Sequence, residues 1–173
     1  VYLLIQDEKL NFDTPIRNIF PELPVSCKKI QIQHLLNHTS GLVDYENVIP
    51  TSQKTQLSDA DVLKLIQNLD TVYFEPGTQF QYSNTAYCLL SLVVERISKQ
   101  SYEDFCRTRI FQYLGMQDAQ ISASHGFERR AFGYHPKDSV FQFADQSITS
   151  ATRGDGGVYI SADDFGKWLD KKN

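Results

Sequence analysis

From Thr85 to Ser98 the apolar residues fall on a single line. Ala86, Leu89, Leu90, Val93, Val94 and Ile97 recur at i, i+3, i+4, i+7, i+8 and i+11, the spacing that gathers them on one face of a 3.6-residue helix. A stripe of that length predicts a long core helix, and the rest of the chain must supply surfaces to cover it. Partners can be read on both sides. Ser58-Asp59-Ala60-Asp61 resembles a capping box, and Val62, Leu63, Ile66 and Leu69 follow at helical spacing. Ser101 with Asp104 caps a further helix that turns Tyr102, Phe105, Cys106 and Ile110 inward, with Gly115 as its C′ residue. Asp13-Thr14-Pro15 opens a short helix that stops before Pro21. Ser161 with Asp164 starts a last helix, expected to bury Phe165, Trp168 and Leu169. Between 117 and 160, Phe132, Tyr134, Phe141 and Phe143 suggest short strands or packed loops. The sum is a helix-rich body with little sheet of its own.

Length and charge narrow the classes. A chain of 173 residues fits one domain, expected to bury about 70% of its unfolded surface. The net charge of −4 and the lack of a basic stripe to neutralise phosphates argue against a nucleic-acid partner. Arg129-Arg130 and Lys171-Lys172 read as plain surface charge. No apolar run approaches the ~20 residues of a membrane span. The chain opens on Val1-Tyr2-Leu3-Leu4-Ile5 with no N-cap residue ahead of it, so the domain spanning 1–173 is expected to be incomplete at both ends. The three cysteines, Cys27, Cys88 and Cys106, form neither a disulfide framework nor a zinc spacing, and Cys106 reads as a small core residue.

Few residues could carry chemistry. Tyr82-Ser83-Asn84 stands where the Pro76-Gly77 turn meets the long helix, beside unpaired N–H groups and the positive end of a dipole. A free tyrosine, with a pKa of about 10, is a poor base at neutral pH, and a dipole worth ~0.3–1 kcal/mol does not change that without nearby cations. The plain alternative is that Asn84 caps the helix and Tyr82 packs beside it. His34 and His38 stand four apart, yet no third ligand suggests a metal. Ser26-Cys27-Lys28-Lys29 formally satisfies Ser-x-x-Lys but follows two prolines rather than opening a helix. Gly154-Asp155-Gly156-Gly157 lacks the Lys-Ser/Thr of a phosphate loop and reads as a turn lining a pocket wall. Asn37-His38-Thr39, a sequon, lies in an apolar block and is incidental.

Four blocks together carry a resemblance. Leu35-Leu36-Asn37-His38-Thr39-Ser40-Gly41-Leu42, the run from Phe74 through Pro76-Gly77 to Tyr82-Ser83-Asn84, Leu114-Gly115-Met116, and Gly156-Gly157-Val158-Tyr159-Ile160-Ser161-Ala162 with Asp164 are similar, in order and interval, to segments of the β-lactamase and penicillin-binding-protein superfamily. Tyr113 stands where that family usually has proline. The resemblance implies an α+β, β-lactamase/transpeptidase-like fold of which this chain covers mostly the helical part. It also implies a serine acyl hydrolase acting through an acyl-enzyme on a β-lactam, a D-amino-acid peptide or an ester, without a cofactor. On that pattern Tyr82 is the general base, and Asn84 and the variable Ser83 face a small-molecule or peptide acyl substrate. The nucleophilic Ser-x-x-Lys is expected before Val1 and the Lys-Thr-Gly-like strand after Asn173. A non-catalytic relative using the scaffold for binding or assembly is the alternative. The resemblance further implies a periplasmic or secreted protein, while the residues themselves leave compartment and oligomeric state open.

Overall fold

A computed structural model describes residues 1–121 and 129–170. The elements run α1 (Tyr2–Gln6), α2 (Ile16–Ile19), α3 (Ile32–Leu36), α4 (Asp59–Ile66), α5 (Asn84–Ser98), α6 (Tyr102–Cys106), β1 (Gln120–Ile121), β2 (Tyr134–Lys137), β3 (Val140–Phe143), β4 (Val158–Tyr159) and α7 (Ala162–Asp170). No helix among the described residues is long and apolar enough to cross a membrane.

The long stripe forms α5, and the other helices assemble on it. Leu89 and Val93 are fully buried, and α1, α3, α4 and α6 pack around them. Leu4, Ile16, Phe20, Ile32, Leu35, Tyr45 and Val62 complete one continuous core. Burying a side chain of this size stabilises by about 1.5–3 kcal/mol, so the stripe outweighs any single cap. The caps fix where helices begin. Ser58 and Asp61 form the reciprocal box at α4, and the Ser101 hydroxyl accepts from the Asp104 amide at α6. Cys27, Cys88 and Cys106 are all buried and free.

α6 continues directly into a π turn, Arg107–Phe111, and Gly115 takes a φ of +70° beyond it. Phe111, Met116, Ala119, Ile121 and Cys106 form a second, smaller cluster. β1 pairs antiparallel with β4, Gln120 opposite Tyr159, and β2 with β3 make a separate hairpin. The buried carboxylate of Asp164 ties α7 to this region. It accepts from the amides of Gln117 (3.2 Å), Asp118 (2.6 Å) and Ala119 (2.8 Å) and from the Lys167 ammonium (2.7 Å).

Several expectations need correction. Phe165, Trp168 and Leu169 are not buried: each is at least a third exposed. The anchoring of α7 is polar and lies at its N-terminal end, so the apolar residues farther along gain no cover from it. Trp168 lines the rim of an apolar cavity with Val1, Phe105 and Tyr113. The apolar run that opens the chain forms only the short α1, which ends at Gln6. Phe132, Tyr134, Phe141 and Phe143 do border or lie in short strands, but all four are exposed. Arg130 is no surface charge: its side chain is buried against Asp145, to which both terminal guanidinium nitrogens donate. Lys171-Lys172 lies outside the described residues.

Two outcomes follow. Asp164→Ala removes the acceptor of three amides, and about 2–3 kcal/mol of stability should be lost in urea unfolding; a loss under ~0.5 kcal/mol would mean that the amides find other partners. The 173-residue chain, with these aromatic side chains open to solvent, should bind a hydrophobic dye in its folded state. A chain that stays dark and unfolds cooperatively would show that those faces are covered.

Candidate active site

The start of α5 is fixed by its neighbours in sequence and by one histidine. Ser83, not Asn84, is the N-cap: its φ and ψ are −142° and 110°, and its buried hydroxyl accepts from the Ala86 amide at 3.1 Å. Asn84 is the first helical residue, which frees its side chain to point elsewhere. The Ser83 amide donates to Nδ1 of His38 at 3.1 Å, and the Gln81 amide to the His38 carbonyl at 2.9 Å. The His38 ring stacks on Tyr87 (centroids 4.9 Å apart) and lies tilted under Tyr82 (4.6 Å).

The two turns that carry these residues are pressed together. The Tyr73 amide donates to the Gly41 carbonyl at 2.7 Å and the Gly77 amide to the Thr39 carbonyl at 2.8 Å. Gly41 has a φ of +70°, and a Cβ there would stand 2.3 Å from the Phe74 carbonyl oxygen. Only glycine meets both demands. Tyr82 is thereby presented outward, 61% exposed, from a rigid base.

Asn84 faces a cavity of about 340 Å³ that it lines with Glu46, Thr152, Asp155, Gly156, Gly157 and Tyr159. Its amide nitrogen donates to Glu46 Oε1 at 3.1 Å, so its carbonyl oxygen remains available. The 154–157 turn does form a wall of this cavity. Behind the wall, Tyr45 donates through its hydroxyl to Asp155 (3.0 Å), and its amide donates to the Thr85 hydroxyl (2.8 Å). Burial, then the charge of Glu46, pushes the nearby Asp44 carboxyl above its ordinary range. Glu46 carried no signal in the sequence, because a single acidic residue has no spacing to read, and Asp155 was legible only as part of its glycine-rich turn.

The structure brings Tyr82, Ser83 and Asn84 to one helix start but gives them different tasks: an exposed phenol, a buried cap and a cavity-lining amide. His34 and His38 do not share a helix. His34 lies in α3, where Nδ1 accepts from the Gln31 amide at 3.1 Å, and His38 follows it with a φ of +59°. Ser26 lies on a 3-10 turn, Val25–Lys29, with its hydroxyl buried and unpartnered among the described residues, while Lys29 pairs with Glu75 at 2.7 Å.

Burial pulls the pKa of both His34 and His38 below the ordinary histidine value. A ring whose Nδ1 accepts from an amide is neutral there, and protonation would set two N–H groups against each other. A histidine with a lowered folded value resists protonation that the unfolded chain accepts. Its contribution to stability is therefore complete above about pH 6.5 and falls away as the pH drops below it. Urea midpoints should decline between pH 7.5 and 5.5, and His38→Gln should flatten part of that slope; an equal slope in the variant would remove His38 as a cause.

The family model described as Beta-lactamase matches residues 1–173. Penicillin-binding protein 4* of Bacillus subtilis (strain 168) is 32% identical over 142 residues, which cover 76% of this chain and 31% of that protein. A D-aminopeptidase of Brucella anthropi is 29% identical over 150 residues, 82% of this chain and 28% of that protein. Among solved structures, a penicillin binding protein from Bacillus halodurans superposes with a TM-score of 0.81 at 32% identity, over 96% of this chain and 52% of that one. The D-amino acid amidase from Ochrobactrum anthropi SV3 complexed with L-phenylalanine gives 0.76 at 30% identity, over 96% and 48%. The chain thus spans about half the length of these solved chains and about a third of the curated proteins it matches, and its share of the common α+β fold is mostly helical. With the model covering its whole length, the chain belongs to the β-lactamase family.

Proposed function

We propose that the protein carrying this chain is a serine acyl hydrolase that works through an acyl-enzyme. Tyr82 relays the proton to and from the nucleophile, and Asn84 contacts the substrate amide. The observation that carries this reading is the placement of an exposed phenol and a cavity-lining amide on adjoining turns of one rigidly held helix start. Relatives with the names D-aminopeptidase and D-amino acid amidase favour an amide or peptide substrate with a D-configured residue. Ser83 serves the site indirectly, by fixing the first turn of α5.

The reaction needs more than these residues. A tyrosine accepts a proton at neutral pH only where cations favour the phenolate, and His38, the ring packed beneath Tyr82, is held toward its neutral form by burial. The cations and the nucleophilic serine of the Ser-x-x-Lys pattern are supplied from outside these 173 residues. Ser26 does not fit the role: it lies on a 3-10 turn rather than at the start of an α-helix, and Lys29 pairs with Glu75.

The full-length protein should form a covalent adduct with a fluorophosphonate or penicillin probe, visible as intact mass. Tyr82→Phe should slow its acylation by about 10²–10⁴, the range for a lost general base. An unchanged rate would remove Tyr82 from the mechanism, and the absence of any adduct in folded full-length protein would favour a non-catalytic binding module. An adduct on residues 1–173 alone would return attention to Ser26.

A further inference from the structure

Asp59 is the first residue of α4, and an acid in the first turn of a helix is ordinarily explained by the helix dipole. Here Ser58 and Asp61 already close the capping box, and the Asp59 side chain turns away from it. It is 1% exposed. Its Oδ1 accepts from the amides of Arg153 (3.2 Å) and Gly154 (3.1 Å), and its Oδ2 from the Arg153 amide at 3.1 Å. The Arg153 guanidinium stands 3.7 Å from Oδ2 and 3.5 Å from Glu95. Those two amides belong to the turn whose outer face lines the cavity beside Asn84.

The same turn lies directly on α5. A Cβ on Gly154 would stand 2.2 Å from the Tyr87 carbonyl oxygen and 2.8 Å from Cys88 Cα. The Cys88 sulfur, one carboxylate oxygen of Asp59 and one of Asp155 lie within 4.8 Å of one another. Burial, then the two neighbouring carboxylates, pushes the Cys88 thiol far up. A cation is poorly suited to this cluster, because the Asp59 oxygens are already engaged by amides and a guanidinium is adjacent. The arrangement is a clamp, with the thiol sealed beneath it.

We propose that Asp59 is a positioning residue for the cavity: by holding the Arg153 and Gly154 amides it seats the 153–157 turn on α5, sets where Asp155, Gly156 and Gly157 stand opposite Asn84, and keeps Cys88 covered. That this wall meets substrate rests on the active-site reading of Tyr82 and Asn84. That Asp59 holds the wall does not.

The three buried free cysteines make the test internal. Folded full-length protein is treated with iodoacetamide under native conditions, and labelling is followed cysteine by cysteine through peptide mass analysis. Cys27, in the same core but on the 3-10 turn Val25–Lys29, and Cys106, in the smaller cluster, report general loosening; Cys88 reports the wall. Asp59→Ala should raise Cys88 labelling by about tenfold or more while Cys27 and Cys106 stay within about twofold. Asp59→Asn should raise it much less, because a carbonyl at the Oδ1 position still accepts from both amides. Gly154→Ala, with Asp59 intact, should lift the same wall and open Cys88 alone.

Cys88 labelling that rises no more than the controls in Asp59→Ala would overturn the proposal, as would all three cysteines opening together. In turnover of an amide substrate, Asp59→Ala should raise KM about tenfold with kcat changed less than about threefold. An unchanged KM would overturn the substrate-facing half. If Tyr82→Phe leaves the rate intact, the active-site reading fails and the labelling result still decides the clamp.

Discussion

The hydrogen bond from the Ser83 amide to Nδ1 of His38 is the contact on which the site's geometry depends. A helix buried along one stripe is free to slide or rotate slightly about its axis unless something fixes its first turn. Ser83 fixes it from within, by capping Ala86, and His38 fixes it from outside, by taking the Ser83 amide while stacking on Tyr87. His38 can do this only from a left-handed backbone conformation, φ +59°. Residues in that region cost about 1–3 kcal/mol when not glycine, and the Thr39–Gly77 and Gly41–Tyr73 backbone pairs are what hold the turn in place against that cost.

The order of magnitudes explains the division of labour. Apolar burial along α5, at about 1.5–3 kcal/mol per side chain, decides that the helix exists and which face is inward. Caps and single hydrogen bonds, at about 1 kcal/mol each, decide where it starts and what its first residues present. The proposed site rests on the second, smaller set. A change at His38 or Ser83 can therefore disturb Tyr82 and Asn84 while leaving the core assembled around Leu89 and Val93 largely as it was.

What was legible in the sequence follows the same division. The α5 stripe, the Ser58 and Ser101 caps and the positive-φ Gly115 were readable, because each is a local rule satisfied within a few residues. The start of α5 was read one residue late, since serine and asparagine are comparable caps and only the fold chooses between them. Arg130 and Asp145 are 15 residues apart and Glu46 and Asn84 are 38 apart; pairings at that range leave no period in the chain. The exposure of Phe165, Trp168 and Leu169 was missed for the opposite reason. Their spacing says that one face is apolar, and spacing cannot say what lies against it.

α5 in fact has two kinds of neighbour, and the contrast explains why the wall of the cavity is built as it is. On its apolar side, attachment comes from burial and packing of many side chains, none of which needs a directed bond. On the side of Gly154 the approach is backbone to backbone, too close for any Cβ, and apolar burial has little left to contribute. Attachment there must come from directional bonds, and a buried carboxylate is an acceptor strong enough to gather several amides at once. Its charge is tolerable only where donors surround it, which the Arg153 guanidinium and the two amides provide. Asp155, engaged by the Tyr45 hydroxyl, sits on the same few residues of chain. Because Tyr45 is tied in turn to Thr85, the wall and the first turn of α5 share one framework, and the width of the cavity between them is set by hydrogen bonds rather than by packing.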